Sequence, residues 1–469
     1  MNAHLVKSLF FVSVFNLFHD NFAQYVPPTP TIEPLLPKGL RISIPHEDGI
    51  SLVAYHVKFN EDFYSLEAGT IAVDIIKTKN GRWTYEDRRT KLKPGDVIYL
   101  WVHVVYEGLG YNLLDQQHVV DKFYNYDGTQ AGGGTPGGTC TANSETRMYI
   151  RDKETQELKR SNVCAGQLIF EENFDSLDPN RWKTIERFSP SNYEFVVYMN
   201  NEENVYLKDG ALHINPTLVK EKFDFTFVQD GTLTLTKCTG QANTNECSRT
   251  ARAWDILPPV ISGRLNTKPS FSFLYGKIEI RAKLPRGDWI YPLLTLENEE
   301  ISANGTSLCN IIIANSLGNP LLVTTSKRDI GGHLLQGGAH AVNVQGNTAQ
   351  DNRMQLPTKT LDSLWSDDYH VYELEWGNGY IVLRVDGVQY GEQKVPATYD
   401  VPVYINIGLG VAGRVVFPDG SRSGNVLKPW KNLGVKAMYD FYTADSDWLQ
   451  TWKQGDVQLL VDYIKVHAL

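Results

Sequence analysis

The sequence predicts an all-β protein, and two observations carry that prediction. Short apolar or alternating runs recur along nearly the whole chain, among them LRISI, VIYLWVHVVY, YGKIEIRAKL and VQLLVDYIKV. Turn residues such as HEDG, KTKNG and KPGD separate these runs, and alternation bounded by such turns is typical of β-strands. The chain of 469 residues is also longer than one hydrophobic core requires, so we expect more than one β domain.

A change of composition divides the chain. Residues 25–125 predict a small, immunoglobulin-like β-sandwich. The stretch that begins at Tyr126, YDGTQAGGGTPGGTCTANSE, is rich in Gly, Thr and Pro and has no apolar periodicity. Residues 126–163 are therefore predicted to be a flexible linker. Strand-like runs resume after it, which predicts a large second β domain over residues 164–469.

The N-terminus has the order of a secretory signal peptide. A weakly basic start, MNAHLVK, precedes the apolar run from Ser8 to Phe18, and Ala23 lies near the polar break that follows. We predict a signal peptide over residues 1–24 and secretion of the mature protein; the alternative is a buried apolar segment. No other run is long enough to span a bilayer. The sequon at Asn304 predicts N-glycosylation of an exposed loop.

Five cysteines in a secreted chain allow two intrachain disulfides and leave one thiol. Cys238 and Cys247 bracket the polar loop TGQANTNE and form the easiest pair. Cys140 and Cys164 flank a polar stretch and form the second predicted pair. Cys309 lies in an apolar run and is predicted to be buried, with an intermolecular disulfide as the alternative.

Charge and motifs exclude several other classes of protein. The formal net charge is −9, and without a block of Lys and Arg we expect no nucleic-acid partner. Residues Gly408 to Gly413 match GxGxxG, but no helix pattern follows them, so we expect a turn at a strand end and no dinucleotide cofactor. His333 and His340 lack a metal-binding spacing, so we expect no metal and no other cofactor.

Several segments, in order along the chain, resemble known families. Residues 164–469 are similar to glycoside hydrolase family 16, the laminarinase-like β-jelly rolls, in FEENFDSLDPNRWK, PPVISGRLNTKPSFSFLYGKIEIRAKLPRGDWIYP, HVYELEWGNGYIVLRVDGVQYG and VDYIKV. The N-terminal segment resembles the carbohydrate-binding module of insect β-1,3-glucan recognition proteins in PKGLRISIP, SLEAG, KNGRWTYEDR and KPGDVIYLW. Together they indicate that family, also called Gram-negative bacteria-binding proteins. The resemblance implies a concanavalin-like jelly roll for the second domain.

The same resemblance locates the catalytic positions. Active enzymes of family 16 carry Glu-x-Asp-x-x-Glu on one strand, where alternation places the first two acids on one face and a bulge returns the third to it. Ser316 to Asn319 match the Ser-x-Gly-Asn that follows this motif, so Asn310, Ile312 and Asn315 stand where the acids are expected. Retaining hydrolysis needs two carboxylates about 5 Å apart. We therefore predict a domain without hydrolytic activity.

The nearby acidic residues Glu297, Glu299 and Glu300 of LENEE have two interpretations. They either replace the lost carboxylates or form a solvated acidic loop. The loop is favoured because their spacing does not reproduce the geometry of the catalytic strand. The first interpretation would make the chain an active secreted endo-β-1,3-glucanase.

The resemblance also assigns residues of the N-terminal module to carbohydrate binding. Trp83 offers an aromatic plate beside the cationic donors Arg88 and Arg89, while Asp48 and Asp74 accept hydrogen bonds from sugar hydroxyls. The alternatives are a core position for Trp83, a turn role for Asp48 and a solvated face for the arginines.

In the second domain, Trp289 and Tyr291 of GDWIYP match the platform that lines the glucanase cleft. Core packing is the alternative for both residues. Thr295 stands where the family carries a further Trp, which lowers the expected sugar affinity of this cleft.

These features predict a secreted pattern-recognition protein that binds β-1,3-glucan on microbial surfaces. Lipopolysaccharide and lipoteichoic acid are the alternative ligands. From the resemblance alone we expect a partner in an extracellular serine protease cascade, such as the prophenoloxidase cascade. We also expect self-association on long glucan, because the polymer repeats one epitope many times.

Overall fold

The computed structural model describes residues 25–36, 38–124, 126, 128, 143–152, 154–298, 307–345, 348–351 and 355–469. The chain folds as two compact units, residues 1–131 and 132–469, called here the N-terminal module and the C-terminal domain. The predicted signal peptide and the sequon at Asn304 lie outside the described residues. No helix in the described ranges is long and apolar enough to cross a membrane.

The N-terminal module is a β-sandwich of two antiparallel sheets, as predicted. Its strands are β1 (Thr31–Pro34), β2 (Leu40–Pro45), β3 (Ile50–Phe59), β4 (Ile71–Ile75), β5 (Arg82–Asp87), β6 (Val97–Tyr106) and β7 (Leu109–Val119). One sheet has the order β1-β2-β5 and the other β4-β3-β6-β7. Successive residues of a strand point to opposite faces, so every second residue of β2, β3 and β6 enters the core, as Ile42, Val53 and Val102 do.

The C-terminal domain is also mostly β. Its first strands are β8 (Asn143–Arg151), β9 (Leu158–Cys164), β10 (Leu168–Glu172), β11 (Lys183–Thr184), β12 (Arg187–Phe188), β13 (Val196–Tyr198), β14 (Val205–Lys208), β15 (Ala211–Ile214), β16 (Thr217–Leu218), β17 (Thr232–Thr234), β18 (Ser248–Thr250), β19 (Val260–Ser262), β20 (Arg264–Asn266), β21 (Phe271–Leu274) and β22 (Gly276–Lys283). They are followed by β23 (Ile290–Asn298), β24 (Ser307–Asn315), β25 (Leu322–Val323), β26 (Leu334–Gln345), β27 (Thr348–Asp351), β28 (Thr358–Thr360), β29 (His370–Gly377), β30 (Tyr380–Val385), β31 (Val388–Lys394), β32 (Val403–Val411), β33 (Arg422–Ser423), β34 (Val426–Leu427) and β35 (Leu459–His467).

Helices in this domain are short. They are α1 (Val219–Lys222), α2 (Phe227–Asp230), α3 (Ala437–Thr443) and α4 (Asp445–Trp448), with 3₁₀ turns at Pro190–Asn192, Ala397–Tyr399 and Leu449–Thr451. The C-terminal domain is therefore built mainly from strands, and the predicted all-β jelly-roll class is confirmed.

Two large sheets pack face to face in the C-terminal domain. One has the order β14-β15-β35-β22-β29-β30-β31, with β10 beside β35. The other has the order β27-β26-β24-β23-β32-β21-β8-β9, with β20 beside β32. Apolar residues from both sheets, such as Ile278, Leu374, Leu294 and Ile407, form one continuous core. The outer face of the second sheet then remains for polar side chains.

The predicted linker is wrong over its C-terminal half. The range 126–163 includes β8 and most of β9, which pair with each other, and β8 also pairs with β21 through Ile150 and Phe271. Met148 and Tyr149 pack against the domain core. The polar composition of this segment predicted a linker, but its backbone groups are satisfied by the neighbouring strand of the sheet.

Acid is expected to destabilise the C-terminal domain through His467 on β35. Burial, with Lys465 and Lys277 nearby, lowers the pKa of this imidazole from 6.5 to about 4. The unfolded chain then binds a proton at a higher pH than the folded chain, so the free energy of unfolding falls as the pH drops from 6.5 to 4. Denaturant unfolding at pH 7 and pH 4.5 should show a loss of about 2 kcal/mol from this group.

The matched control is His467→Gln, which cannot titrate. Between pH 7 and pH 4.5 this variant should lose about 2 kcal/mol less stability than the wild type loses. Equal losses in both proteins would show that His467 does not carry this pH dependence.

Candidate functional site

Trp83 lies on β5 and points into the core of the N-terminal module. The residue is 4% exposed and belongs to the core cluster. Its carbonyl accepts a hydrogen bond of 2.6 Å from the Tyr55 hydroxyl. The indole Nε1 is buried, and the described residues offer it no hydrogen-bond partner. The Trp83 ring is therefore not available as an aromatic plate for sugar, because the alternation of β5 turns it towards the second sheet.

The four polar residues predicted to act with Trp83 lie in three places. Asp48 is exposed in the turn between β2 and β3. Arg88 and Arg89 follow the opposite end of β5, and Arg88 lies five residues, or about 16 Å of strand, from Trp83. Asp74 is exposed on β4, which belongs to the other sheet. The structure does not gather these residues around one sugar-sized site.

A charged surface that the sequence analysis missed covers the outer face of the β1-β2-β5 sheet. Arg41 on β2 lies between two cross-strand partners, Glu33 on β1 and Glu86 on β5. Its guanidinium is 3.4 Å from the Glu33 carboxylate and 3.2 Å from that of Glu86. Glu86 also contacts the Nε of Arg88 at 3.2 Å. Arg41, Glu33 and Glu86 are 15%, 16% and 22% exposed, so one partly exposed row brings cationic donors and anionic acceptors together.

The neighbouring rows extend this surface. Arg82 Nε donates to the Ser43 hydroxyl at 2.9 Å, and another nitrogen of the same guanidinium donates to the Thr31 hydroxyl at 2.9 Å. We define the arginine face as Glu33, Arg41, Ser43, Arg82, Glu86 and Arg88. In LRISIP the polar residues alternate with core residues, and that alternation was the signal that could have found this face.

Strand β24 carries the three positions at which the resemblance expects catalytic acids. On β24, Ile311 and Ile313 enter the core, while Asn310 and Ile312 alternate with them on the outer face. The pairing of β24 with β26 shifts register between Ile312 and Asn315, which is a β-bulge of the predicted kind. The resemblance expects three acids where β24 has Asn310, Ile312 and Asn315, and of these Asn310 is half-buried while Ile312 and Asn315 are 4% and 3% exposed.

A polar row crosses the outer face of the same sheet. His340, Asn310, Glu297 and Tyr404 are successive cross-strand partners on β26, β24, β23 and β32. His340 Nδ1 lies 3.2 Å from Asn310 Oδ1, and the Tyr404 hydroxyl donates to Glu297 at 3.0 Å. Arg264 on β20 completes the group, with a guanidinium nitrogen 2.5 Å from the Glu297 carboxylate. We call these five residues the polar row.

Glu297 is not part of a solvated acidic loop, which corrects that expectation. It lies on β23, and its side chain is 23% exposed while that of Arg264 is 13% exposed. Burial alone would lower the pKa of Arg264, but the adjacent Glu297 carboxylate holds it above its ordinary range. Burial and the same carboxylate raise the pKa of Tyr404, so its hydroxyl stays a donor. Glu299 and Glu300 lie outside the described residues.

Trp289 and Tyr291 are buried, which corrects the predicted aromatic platform. Trp289 is 0% and Tyr291 2% exposed. Phe417 packs edge-on against both, with centroid distances of 5.3 Å and 5.8 Å, and Trp430 lies 5.1 Å from Trp289. Rings of the same domain therefore cover the faces on which a sugar would stack.

The disulfide between Cys238 and Cys247 is confirmed, with 5.4 Å between the Cα atoms. Cys164 is also disulfide-bonded, and its predicted partner Cys140 lies outside the described residues. Cys309 lies on β24, and its side chain is outside the described part of the chain.

The GxGxxG segment is the end of a strand, as predicted. Gly408 and Gly410 belong to β32, and the chain turns at Ala412 and Gly413, whose φ angles are 49° and 108°. Within the ranges that the structure describes, no group of three or more His, Cys, Asp or Glu side chains could hold a metal ion.

Comparison with known proteins agrees with this architecture. Residues 26–133 match a family model described as "Carbohydrate binding domain (family 32)". The chain is therefore a carbohydrate-binding β-sandwich joined to a larger two-sheet β domain. It is 36% identical to a "Beta-1,3-glucan-binding protein" of Tenebrio molitor, over 98% of this chain and 99% of the relative. The chain belongs to the β-1,3-glucan-binding protein family.

Further matches cover one or both units. "Gram-negative bacteria-binding protein 3" of Drosophila melanogaster is 32% identical, over 95% of each chain. Among solved structures, the laminarinase catalytic domain from Thermotoga maritima MSB8 is 20% identical with a TM-score of 0.41, and the match covers 65% of this chain and 99% of that chain.

Proposed function

We propose that this protein is a secreted recognition protein that binds β-1,3-glucan through its N-terminal module and does not hydrolyse it. The observation that carries the proposal is the family relation along nearly the whole chain to a protein named for β-1,3-glucan binding. The carbohydrate-binding match over residues 26–133 supports the module as the binding unit.

The arginine face is the proposed contact surface of the module. Sugar hydroxyls both donate and accept hydrogen bonds, so a surface with guanidinium donors next to carboxylate acceptors suits them. Arg88 belongs to this face, and Arg89 follows it directly along the chain. Asp48 and Asp74 are proposed as outlying contacts to neighbouring glucan chains, since they lie away from this face. Trp83 is proposed to support the β5 strand from the core side.

The absence of hydrolysis is proposed from the polar row. An amide cannot act as the carboxylate nucleophile or as the proton donor of a retaining glycosidase. Asn310 and Asn315 carry amides, and the Glu297 carboxylate is already held by Arg264 and Tyr404. A carboxylate fixed in this way is a poor substitute for a free catalytic pair.

Three further features complete the proposal. Lipopolysaccharide is a second candidate ligand, favoured by the relative named for Gram-negative bacteria, and lipoteichoic acid is a third. A serine protease cascade component is the proposed partner. Several copies of the protein are proposed to associate along one long glucan, since each chain offers many equivalent epitopes.

A paired assay on the full-length protein tests the first proposal. We expect retention on insoluble β-1,3-glucan and no release of reducing sugar from laminarin over a long incubation. Arg88→Ala with Arg89→Ala should lower the apparent affinity about tenfold, because two charge-assisted hydrogen-bond donors are removed. Sedimentation on long laminarin, in the same samples, should show species larger than the monomer.

The matched control is Lys77→Ala, which removes an exposed charge from the loop after β4. Its affinity should equal that of the wild type. Sustained sugar release above a blank would refute the inactive domain, and failure of the wild type to bind glucan would refute recognition of this polymer. Tighter binding to lipopolysaccharide than to glucan would make the second candidate the principal ligand.

A further inference from the structure

Trp254 is the most exposed tryptophan of the chain. All ten tryptophans lie within the described residues; eight are at most 9% exposed, Trp452 is half-buried, and Trp254 is 51% exposed. Indole is a large apolar group that usually contributes to a core or to an interface. An indole displayed to solvent in a protein whose other tryptophans are buried or half-buried is therefore a candidate contact residue.

The backbone around Trp254 holds the side chain outward. Arg252 N donates to Asp255 O at 2.9 Å and Asp255 N donates to Arg252 O at 3.0 Å, so Ala253 and Trp254 form the tip of a tight turn. Ala253 has a φ of 55°, a left-handed conformation that costs a residue with a Cβ about 1–2 kcal/mol. The fold tolerates this strain at the position that displays the indole.

Neighbouring segments anchor the turn. Ala251 N donates to Gly231 O, and Leu257 N donates to Val228 O, both at 2.9 Å. Val228 is fully buried in the domain core. The turn is thus fixed at both ends, and a ligand that meets Trp254 need not order a flexible loop first.

The surroundings of the ring suit an uncharged, hydroxyl-rich ligand. The Lys436 ammonium lies 5.5 Å from the centroid of the indole and can orient it through a cation–π contact. Arg252 and Asp255 pair through their backbones on either side of the turn tip, and both are exposed. These charges have mixed sign, so they favour hydrogen bonds to hydroxyls over attraction of a strongly anionic surface.

We infer that Trp254 is a stacking platform for a glucan chain, and so a second sugar contact in the C-terminal domain. The apolar C–H face of a β-linked glucose ring packs on the exposed indole, while Lys436 and Asp255 reach its hydroxyls. The identity of the sugar rests on the proposed function.

Fluorescence of the full-length protein tests the inference, with laminarihexaose as the probe. Trp254 should dominate quenching by acrylamide, and the sugar should reduce that quenching. Trp254→Phe keeps an aromatic ring but removes the indole, so the sugar-dependent change should disappear. In pull-down on insoluble β-1,3-glucan, Trp254→Ala should weaken binding about five- to tenfold, whereas Trp254→Phe should weaken it less than threefold.

Leu433→Ala provides the matched control, since Leu433 is an exposed apolar residue, at 65%, on the segment that leads to Lys436. Its binding should equal that of the wild type. If the wild type binds glucan while Trp254→Ala binds equally well and the quenching is unaffected by sugar, this inference fails and the proposed function stands. If the wild type does not bind glucan at all, the proposed function itself fails. Protection of Trp254 by anionic phospholipid vesicles but not by laminarihexaose would also overturn the assignment to sugar.

Discussion

Replacing Trp83 with alanine is expected to destabilise the N-terminal module by about 3–5 kcal/mol. The side chain is 4% exposed and fills the space between the two sheets, so its removal leaves a cavity that neighbours such as Tyr55 and Ile44 cannot fill without moving. A module of this size has a total stability of about 5–15 kcal/mol. Thermal unfolding should therefore show a clearly lower melting temperature, and glucan binding should fall only at temperatures where the weakened module unfolds.

Trp83→Phe separates a structural role from direct contact with sugar. Phenylalanine keeps a buried six-membered ring and removes the rest of the indole, including the N–H for which the described residues show no partner. We expect this variant to lose about 1 kcal/mol of stability and to bind glucan as the wild type does. If Trp83→Phe keeps its melting temperature but loses binding, the indole N–H contacts the sugar and the supporting role proposed for Trp83 is wrong.

Replacing Glu297 with glutamine is expected to destabilise the C-terminal domain by about 3 kcal/mol. The carboxylate forms an ion pair with Arg264, whose side chain is 13% exposed. It also accepts a hydrogen bond from the Tyr404 hydroxyl. Removing the negative charge leaves the guanidinium with little solvent and without a counter-charge, and that uncompensated charge is the main cost. Denaturant unfolding of the wild type and the variant measures the difference.

A double-mutant cycle distinguishes the ion pair from general packing. Arg264→Met removes the charge that Glu297 neutralises, so adding Glu297→Gln to it should cost about 1 kcal/mol or less. Equal costs of Glu297→Gln in both backgrounds would mean that the pair contributes no coupling energy. If instead Glu297→Gln were stable and abolished a measurable hydrolysis of laminarin, Glu297 would be a catalytic carboxylate and the proposal of an inactive domain would fall.

Part of the candidate site could be predicted from the sequence because it depends on local spacing. The alternation in NIIIAN fixes that Asn310 and Ile312 share one face, and the structure places them on the outer face of β24. The short interval between Cys238 and Cys247 made their disulfide the simplest pairing, and it is present. Both conclusions hold because neighbours along the chain stay neighbours in space.

The arginine face and the polar row depend on contacts between distant segments. Arg264 and Glu297 are 33 residues apart, and Glu33 meets Arg41 only because β1 and β2 pair in one register. A one-residue change in that register would turn every side chain of a strand to the opposite face. The sequence therefore indicated strands with polar residues but not which charges meet.

By itself, the sequence determined the β character of the chain, its division into two β units and the identity of residues 310, 312 and 315 on β24, since periodicity and residue identity are local properties. Only the tertiary structure decided which faces are covered. Alternation states that Trp83 shares a face with its second neighbours, but only the opposing sheet buries it. Trp289 lies just before β23, and Phe417 and Trp430 from later in the chain cover it. Trp254, in contrast, stays exposed because a locked turn holds it away from the core.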